Sequence, residues 1–295
     1  MIRYRIQLPS HLTGFWRIHK ASTTLETGST GAGLVVEPGV QAVIEDSPTT
    51  TVTYNGLRVN ICTVDKILRE YGKPLRITVY SPTPLGAGYA SSAILSIITV
   101  LATQLVEKGY YDYLEVGRKA HEAEVECLTG LGDVISILQA GYLEIRVKPG
   151  APGIGRVLTV PLKETLKVTT IPLRINGFQT PQILTAMGDE INKYSDNLLS
   201  KLLGNPSIEN FVQLAYEFTR KIKWIPPETL NEIDNILSRE TRRGGIIGYY
   251  FKKKTLVIIH EKNIDNEIFS PLEKYAMGPP IRHKPAPGGV LIARM

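Results

Sequence analysis

Runs in which apolar and polar residues alternate predict that the first third of the chain is a set of β-strands. Ile2–Leu8 alternates in this way, as a half-buried strand does. The stretch 34–61 is rich in Val, Thr and Ile, and Asn55-Gly56 within it is a strong hairpin signal. Leu75–Tyr80 predicts another strand. We therefore expect the first third of the chain to be a meander of strands.

The pattern then changes to that of helices. Residues 89–108 contain no Pro or Gly and are apolar nearly all round, which predicts a long buried helix. A second helix is predicted over 112–128, a short third one after Asp133, and a strand over 141–147. The run Pro149-Gly150-Ala151-Pro152-Gly153 is typical of a loop and marks the first plausible domain boundary.

The second half of the chain mixes strands and helices. The predicted strands are 168–173, 245–251, 255–260 and 288–293, and the predicted helices are 180–222, 226–239 and 266–277. Because strands close in sequence are expected to pair, the fold class is α+β rather than a doubly wound sheet. We predict two domains, 1–155 and 156–295, a division that suits a chain of 295 residues.

Composition excludes several classes of protein. Hydrophobic residues make up 43% and charged residues 21%, which excludes general disorder. The net charge of +6 favours anionic ligands or nucleic acid. No signal-peptide core is seen at the start, and the longest apolar stretch, 90–106, is shorter than the ~20 residues that span a bilayer. The two cysteines, Cys62 and Cys127, form no disulfide framework, so we predict a reduced, cytoplasmic protein with no membrane partner.

The Gly-rich segment Pro82–Ala93, between a predicted strand and the buried helix, carries the first candidate chemistry. Gly86 and Gly88 allow the backbone to approach a ligand closely. Ser91 and Ser92 lie where the helix begins, and the unpaired N–H groups of a helix N-terminus bind phosphate well. The segment is neither a Walker loop nor a full dinucleotide fingerprint. The alternative interpretation is a Gly turn with a Ser N-cap.

A second candidate group lies on the next predicted helix and just after it. His121 and Glu124 are three residues apart and share a helix face, and Asp133 opens the following helix. Two carboxylates that converge there could hold Mg²⁺ together with substrate phosphates. The alternative is a solvated acidic helix face with Asp133 as an N-cap. Glu126 competes with Glu124 for the metal, because only one of the two can face a cleft.

Together, the two stretches resemble the superfamily of galactokinase, homoserine kinase, mevalonate kinase and phosphomevalonate kinase. The phosphate motif of that superfamily is Pro-x-x-x-Gly-Leu-Gly-Ser-Ser-Ala, whereas this chain has two additional residues between Gly88 and Ser91. A third, Gly-rich motif near the C-terminus is matched only weakly, by Arg242–Gly248 or by Pro285–Gly289. The resemblance implies a two-domain α+β kinase with ATP in a cleft between the halves.

The archaeal pantoate kinases resemble the chain more closely, over about the first 150 residues. The matching segments are Leu8–Phe15, Thr27–Gly33, Pro84–Ser92 and His121–Val134. This resemblance implies an ATP- and Mg²⁺-dependent kinase that converts pantoate to 4-phosphopantoate, on the archaeal route to coenzyme A.

The resemblance also implies roles for single residues. Ser92 and Glu124 would hold Mg²⁺ with the ATP phosphates, and Asp133 would be the catalytic residue beside the accepting hydroxyl. The residues implied along the phosphates are Pro84, Gly86, Ala87, Gly88, Ser91 and Ser92.

Three further residues, Ser29, His121 and Arg146, are candidates for binding the substrate. Arg146 would supply the cation for the carboxylate of a small hydroxy acid. The alternatives are local hydrogen bonds for Ser29 and His121, and an exposed polar strand face for Arg146. His11 shows no ligand spacing, and the run Lys252-Lys253-Lys254 is predicted to be a surface turn.

Other functions stay open. The acceptor could be another small hydroxy compound, such as mevalonate, homoserine or shikimate. The chain could also be a degenerate kinase that binds nucleotide without turnover, or an RNA-binding protein, because the superfamily shares its N-terminal fold with nucleic-acid-binding proteins. The basic residues are spread and no RNA-binding motif is seen, so we predict no nucleic-acid partner. A homodimer is the generic expectation for an enzyme of this size.

Overall fold

The computed structural model describes residues 3–175, 187–223, 225–262 and 269–295. The described strands are β1 (Arg3–His19), β2 (Gly28–Asp46), β3 (Thr51–Tyr54), β4 (Leu57–Arg58), β5 (Leu75–Tyr80), β6 (Leu143–Lys148), β7 (Arg156–Val160), β8 (Lys167–Pro172), β9 (Gly248–Lys252), β10 (Thr255–His260), β11 (Ile281–Pro285) and β12 (Leu291–Arg294). The described α-helices are α1 (Cys62–Arg69), α2 (Ser91–Lys108), α3 (Tyr113–Glu126), α4 (Asp133–Gln139), α5 (Gly188–Ser195), α6 (Leu198–Gly204), α7 (Ile208–Ile222) and α8 (Pro227–Arg242). A 3₁₀ helix covers Ser270–Tyr275.

The described strands are hydrogen-bonded into one sheet that runs through both halves of the chain. Its longest path has the order β4-β3-β5-β2-β11-β8-β10-β9. The long strand β2 is its centre and pairs with β1, β5, β6 and β11. Most of the pairs are antiparallel, as expected for strands that are close in sequence, and the α+β class is confirmed.

Helix α2 is the central helix of the N-terminal half. It is long and apolar enough to cross a bilayer, but 83% of it is buried inside the protein, where it packs against α1, α3 and the sheet. Its buried hydroxyls are satisfied locally, because Ser96 and Thr99 donate to carbonyls one turn earlier. The prediction of a buried core helix is confirmed, with a start two residues later.

In the C-terminal half, α7 packs against β9, and Asp234 of α8 accepts a hydrogen bond from Tyr249 of β9. The apolar face of α7 includes Phe211 and Phe218, both buried in the larger hydrophobic core. The predicted hairpin of β9 and β10 is confirmed, and it turns at Lys253, whose backbone is left-handed with φ of 53°. This turn points toward the N-terminal half.

Two described strands, β7 and β11, have no counterpart among the predicted ones. β11 reads Ile-Arg-His-Lys-Pro, which is too polar to be recognised as a strand. β7 pairs with β6 across the loop Pro149–Gly153, so this loop joins two hydrogen-bonded strands. The division into 1–155 and 156–295 stays a prediction. Residues 180–186 and 266–268, which begin two of the predicted helices, lie outside the described residues.

The prediction of two reduced cysteines is wrong, since Cys62 and Cys127 form a disulfide. Cys62 opens α1 and Cys127 directly follows α3, and these two helices pack against each other beside α2. A separation of 65 residues in sequence gave no sign that the fold brings them together. The cytoplasmic location stays a prediction that free thiols no longer support.

Candidate active site

A cleft of about 400 Å³ lies between the Gly-rich loop before α2, the N-terminus of α4 and the β9–β10 turn. The predicted residues that line it are Ser29, Gly86, Gly88, Ser91, Ser92, Asp133 and Arg146. A larger cavity, of about 1290 Å³, lies elsewhere and is lined by none of the predicted site residues. The chemistry expected from the sequence therefore converges on the smaller cavity.

The Gly-rich loop needs glycine at two positions. Gly86 and Gly88 have φ of 77° and 122°, in the region that residues with a side chain rarely adopt. At Gly88 a Cβ atom would also lie 2.6 Å from the carbonyl oxygen of Lys252. The loop can take this path beside the β9–β10 hairpin only because Gly88 has no side chain.

Pro84 and Ala87, both implied along the phosphates, do not line the cleft. The Ala87 side chain is buried in the core, and its carbonyl accepts a hydrogen bond of 2.9 Å from Thr255 Oγ1. The next residue but one, Tyr89, is also buried and donates to Thr170 Oγ1 at 2.8 Å. These contacts tie the loop to β8 and β10, so Ala87 supports the loop from behind.

The start of α2 is built to receive an anion. The N-cap residue, Ala90, has no side chain that could cap the first N–H groups of the helix. Ser91 is buried, and its hydroxyl has no hydrogen-bond partner among the described residues. Unpaired N–H groups beside an unpaired buried hydroxyl match the oxygens of a phosphate.

Ser92 lines the cleft, and Glu124 is buried directly behind it. Ser92 Oγ donates to Glu124 Oε2 at 3.2 Å, and Thr129 Oγ1 donates to Glu124 Oε1 at 2.7 Å. Burial raises the pKa of Glu124 to about 7, and the negative charge of Asp133 adds to this shift. A buried carboxylate next to a hydroxyl is a donor set that fits Mg²⁺.

Glu126 does not face this cleft. Its carboxylate forms a salt bridge with Lys66 on α1, and its side chain is 41% exposed. Glu124, two residues earlier and on the other side of the helix, is 1% exposed and points inward.

Asp133 occupies the first position of α4. Its Oδ1 lies 2.7 Å from His11 Nδ1 and 3.2 Å from Thr13 Oγ1. Burial alone would raise the pKa of Asp133, but the hydrogen bond and charge of His11, with the charge of Lys252, hold it well below its usual range. Asp133 is therefore ionised in the cleft and acts as a hydrogen-bond acceptor.

Arg146 and Ser29 meet at a glycine of the loop before α4. Arg146 is 1% exposed, unlike a residue of an open strand face, and its Nη1 donates to Ser136 Oγ at 2.9 Å and to Glu144. Its buried Nε has no hydrogen-bond partner among the described residues. A Cβ atom on Gly132 would lie 2.5 Å from Ser29 Oγ and 2.7 Å from this Nε. A hydroxyl and an unpaired N–H thus converge beside the catalytic candidate.

His121 lies behind the wall of the cleft and is not among the lining residues. Its Nε2 lies 2.8 Å from the carbonyl oxygen of Thr27 and 3.2 Å from that of Thr24. Burial lowers the pKa of His121, so the ring is neutral and donates through Nε2. These hydrogen bonds fix the chain just before Ser29.

The prediction that Lys252-Lys253-Lys254 is a surface turn is wrong for its first two residues, which line the cleft. Lys252 is 8% exposed, and its ammonium lies 4.2 Å from the centre of the Trp16 ring. Burial lowers the pKa of Lys252 to about 7. A lysine run at a hairpin turn is usually exposed, and only the docking of this hairpin on the Gly-rich loop buries it.

His11 is the second functional candidate that the sequence did not indicate. Its ring nitrogens lie against Asp133 and Glu144, which are 122 and 133 residues away in sequence. The two weak candidates for a third motif, Arg242–Gly248 and Pro285–Gly289, line no part of the cleft. The C-terminal half instead contributes the β9–β10 turn to the wall of the cleft, through Lys252 and Lys253.

The chain is similar to known kinases over most of its length. A family model described as the GHMP kinases N terminal domain matches residues 59–141. The pantoate kinase of Methanocaldococcus jannaschii is 32% identical over an alignment of 259 residues, and the match covers 84% of this chain and 93% of that protein. The pantoate kinase of Thermococcus kodakarensis is 31% identical over an alignment of 252 residues, and the match covers 79% of this chain and 81% of that protein.

Solved structures are similar over the whole chain. One described as a phosphotransferase related to the CoA biosynthesis pathway is 25% identical, covers 99% of each chain and has a TM-score of 0.79. Another, described as MDDEF in complex with MVAPP, AMPPCP and magnesium, is 12% identical, covers 100% of this chain and 99% of that one, and has a TM-score of 0.72. At that identity the second likeness concerns the fold alone.

Proposed function

Because the chain belongs to the pantoate kinase family of the GHMP kinases, we propose that it transfers the γ-phosphoryl group of ATP to a hydroxyl of pantoate. The product is 4-phosphopantoate, on a route to coenzyme A. The observation that carries this proposal is that carboxylate, hydroxyl and guanidinium groups meet at one glycine-containing turn, 130–132. A Cβ on Gly130 would lie 2.3 Å from Glu124 Oε2 and 3.5 Å from Asp133 Oδ2, while Gly132 faces Ser29 and Arg146.

The phosphates of ATP would lie along the Gly-rich loop and the start of α2. Gly86 and Gly88 leave room for them, and Ser91 offers its unpaired hydroxyl. Ser92 and Glu124 would hold Mg²⁺. When bound there, Mg²⁺ would offset the negative charge of the phosphates.

Pantoate would bind at the other end of the cleft. Its carboxylate suits the buried guanidinium of Arg146, whose Nε is unpaired, and Ser29 Oγ can donate to the same ligand. The substrate hydroxyl would then lie between this end and the phosphates, where Asp133 accepts its hydrogen bond. His121 would support Ser29 from behind rather than touch the ligand.

The reaction asks mainly for alignment and for stabilisation of charge. The depressed pKa of Asp133 makes it a weak base, so its main task is to orient the hydroxyl toward the phosphorus. Lys252 and Lys253 reach the cleft from the opposite side, where their ammonium groups can stabilise the negative charge of the transferred phosphoryl group.

A coupled assay of ADP release, with ATP and Mg²⁺, tests the proposal across pantoate, mevalonate, homoserine, shikimate and galactose. We expect release with pantoate alone and a product that is heavier by one phosphoryl group. Release with another acceptor and none with pantoate would refute the substrate but keep the kinase. No release with any acceptor, despite ATP binding, would refute the kinase.

Two variants test whether the residues of the cleft have the roles proposed for them in this reaction. Asp133→Asn should lower kcat at least about tenfold and leave ATP affinity nearly unchanged, because the orienting charge is lost. Arg146→Ala should raise the KM for pantoate by about tenfold or more without changing that for ATP. An unaltered KM for pantoate in Arg146→Ala would show that the carboxylate binds elsewhere.

A further inference from the structure

An imidazole ring is enclosed between two carboxylates behind the cleft. His11, on β1, has no exposed surface. Its Nδ1 lies 2.7 Å from Asp133 Oδ1, and its Nε2 lies 2.9 Å from Glu144 Oε1. Both distances are those of strong hydrogen bonds.

The two hydrogen bonds of His11 restrict the protonation states that His11, Asp133 and Glu144 can have. An ionised carboxylate only accepts hydrogen bonds, and a neutral imidazole carries a single N–H donor. One of the two contacts would therefore bring two lone pairs together if both carboxylates were ionised and the ring of His11 were neutral. Either the ring carries two protons, or one of the carboxyl groups is protonated.

The surrounding charges favour two protons on the ring. On β6, Arg146 Nη1 donates to the same Glu144 oxygen that faces His11, which stabilises ionised Glu144. On β9, Lys252 in its ammonium form acts on Asp133 in the same sense. Tyr250, also on β9 and near Glu144, donates its hydroxyl hydrogen to a backbone carbonyl of β1 instead.

The balance at the ring itself points the same way. Burial lowers the pKa of His11, but the hydrogen bonds and charges of Asp133 and Glu144 outweigh this effect and raise it above its ordinary value. The ionised side chains therefore form a row of alternating charge, which begins at Asp133 in the cleft and continues through His11 and Glu144 to Arg146.

We propose that His11 is a positioning residue: its imidazolium form fixes the ionised carboxylate of Asp133 for the acceptor hydroxyl. The inference rests on the proposed kinase function. Both His11 and Thr13 contact Oδ1 of Asp133, which leaves Oδ2 as the oxygen that can accept from the substrate. Without the imidazolium, burial would raise the pKa of this carboxyl group, and its orientation would lose its main support.

Nitrogen NMR of the histidine rings tests the protonation state without any use of activity. The chain has five histidines, and the spectrum of His11→Asn identifies the signal of His11. We expect the pKa of His11 to lie above that of an ordinary histidine, so that both ring nitrogens stay protonated at a pH where an ordinary ring is neutral. A pKa at or below the ordinary value would overturn the proposal.

Kinetics test the positioning role. His11→Asn should lower kcat at least about tenfold with little change in the KM for ATP. Its kcat should also fall with decreasing pH at a pH where that of the wild type is flat, because Asp133 then protonates more easily. The matched control is His260→Asn, since His260 is also buried, at 4% exposed, but hydrogen-bonds to Thr169 and to the Lys262 backbone, outside the cleft. Parallel pH profiles for wild type and His11→Asn would overturn the role.

Glu144→Gln covers the case in which His11→Asn does not fold. Removing this negative charge should lower the pKa of His11 in the NMR titration, and an unchanged pKa would contradict the proposed row of charges. The two hypotheses fail separately. A doubly protonated His11 in a protein inactive on pantoate refutes the proposed substrate, whereas a neutral His11 in an active kinase refutes only the positioning role.

Discussion

Gly88 lies directly against the backbone of Lys252, so that a Cβ atom on Gly88 would be 2.6 Å from the Lys252 carbonyl oxygen. The Gly-rich loop of the N-terminal half and the β9–β10 hairpin of the C-terminal half are therefore in contact at the edge of the cleft. The hydrogen bond from Thr255 Oγ1 to the Ala87 carbonyl belongs to the same contact. The loop that would bind phosphate thus depends on the hairpin that carries the lysines.

The variant Gly88→Ala should disturb this contact. The added methyl group meets backbone atoms that cannot rotate away, and φ of 122° is unfavourable for alanine. We expect a loss of about 1–3 kcal/mol in the free energy of unfolding and a rise of about tenfold or more in the KM for ATP. Gly72→Ala is the control, because nothing lies within 4 Å of its Cβ position and it does not line the cleft. Equal behaviour of the two variants in thermal melts and kinetics would contradict the expectation.

The proposed Mg²⁺ site can be tested by comparing two neighbouring glutamates, Glu124 and Glu126. Glu124→Gln should raise the Mg²⁺ concentration needed for half-maximal activity by about tenfold or more, because the buried oxygen pair loses its charge. Glu126→Gln removes only an exposed salt bridge with Lys66 and should leave the Mg²⁺ requirement unchanged. A Mg²⁺ titration of ADP release measures both. A normal requirement in Glu124→Gln would remove this residue from the metal site.

Local pattern was sufficient for much of the fold. The β5 strand, the buried helix α2 and the β9–β10 hairpin follow from alternation, apolar periodicity and turn residues within a few positions. The Gly-rich loop could be identified because the phosphate binding proposed for it depends on its own backbone. The resemblance favours Glu124 over Glu126, whereas the helical period alone leaves open which face points inward. In the structure Glu124 is buried and Glu126 is exposed.

The residues that sequence reasoning missed act through distant neighbours. The role proposed for His11 depends on its contacts with Asp133 and Glu144, which lie on α4 and β6. The burial of Lys252 depends on the docking of β9 and β10 on a loop about 160 residues earlier in the chain. No local pattern contains that information.

The disulfide between Cys62 and Cys127 should contribute strongly to stability. It closes a loop of 65 residues, for which the chain-entropy model gives about 4 kcal/mol. Chemical denaturation of the Cys62→Ala/Cys127→Ala double variant should show a loss of that order. A reductant should lower the melting temperature of the wild type, since Cys62 is exposed, and should not change that of the double variant. A wild type with the same melting temperature in both conditions would argue against a stabilising disulfide.

Lys252 should couple ligand binding to proton uptake. Burial lowers its pKa to about 7, so at about pH 8 the amine is mostly neutral in the free protein. An anion bound in the cleft stabilises the ammonium form and raises the pKa, so ATP binding at that pH should take up a proton at Lys252. Titration calorimetry in two buffers of different ionisation enthalpy measures this uptake.

Variants of Lys252 and Lys254 test whether Lys252 is the residue that takes up the proton when ATP binds. Lys252→Met should bind ATP more weakly and without the uptake, and its ATP affinity should no longer decrease as the pH rises through 7 to 8, a range set by the pKa of about 7. Lys254→Met should behave as the wild type, because Lys254 is two residues along the same turn and does not line the cleft. Equal uptake in Lys252→Met and the wild type would show that another group, such as Lys253, binds the proton, and would refute the role given to Lys252.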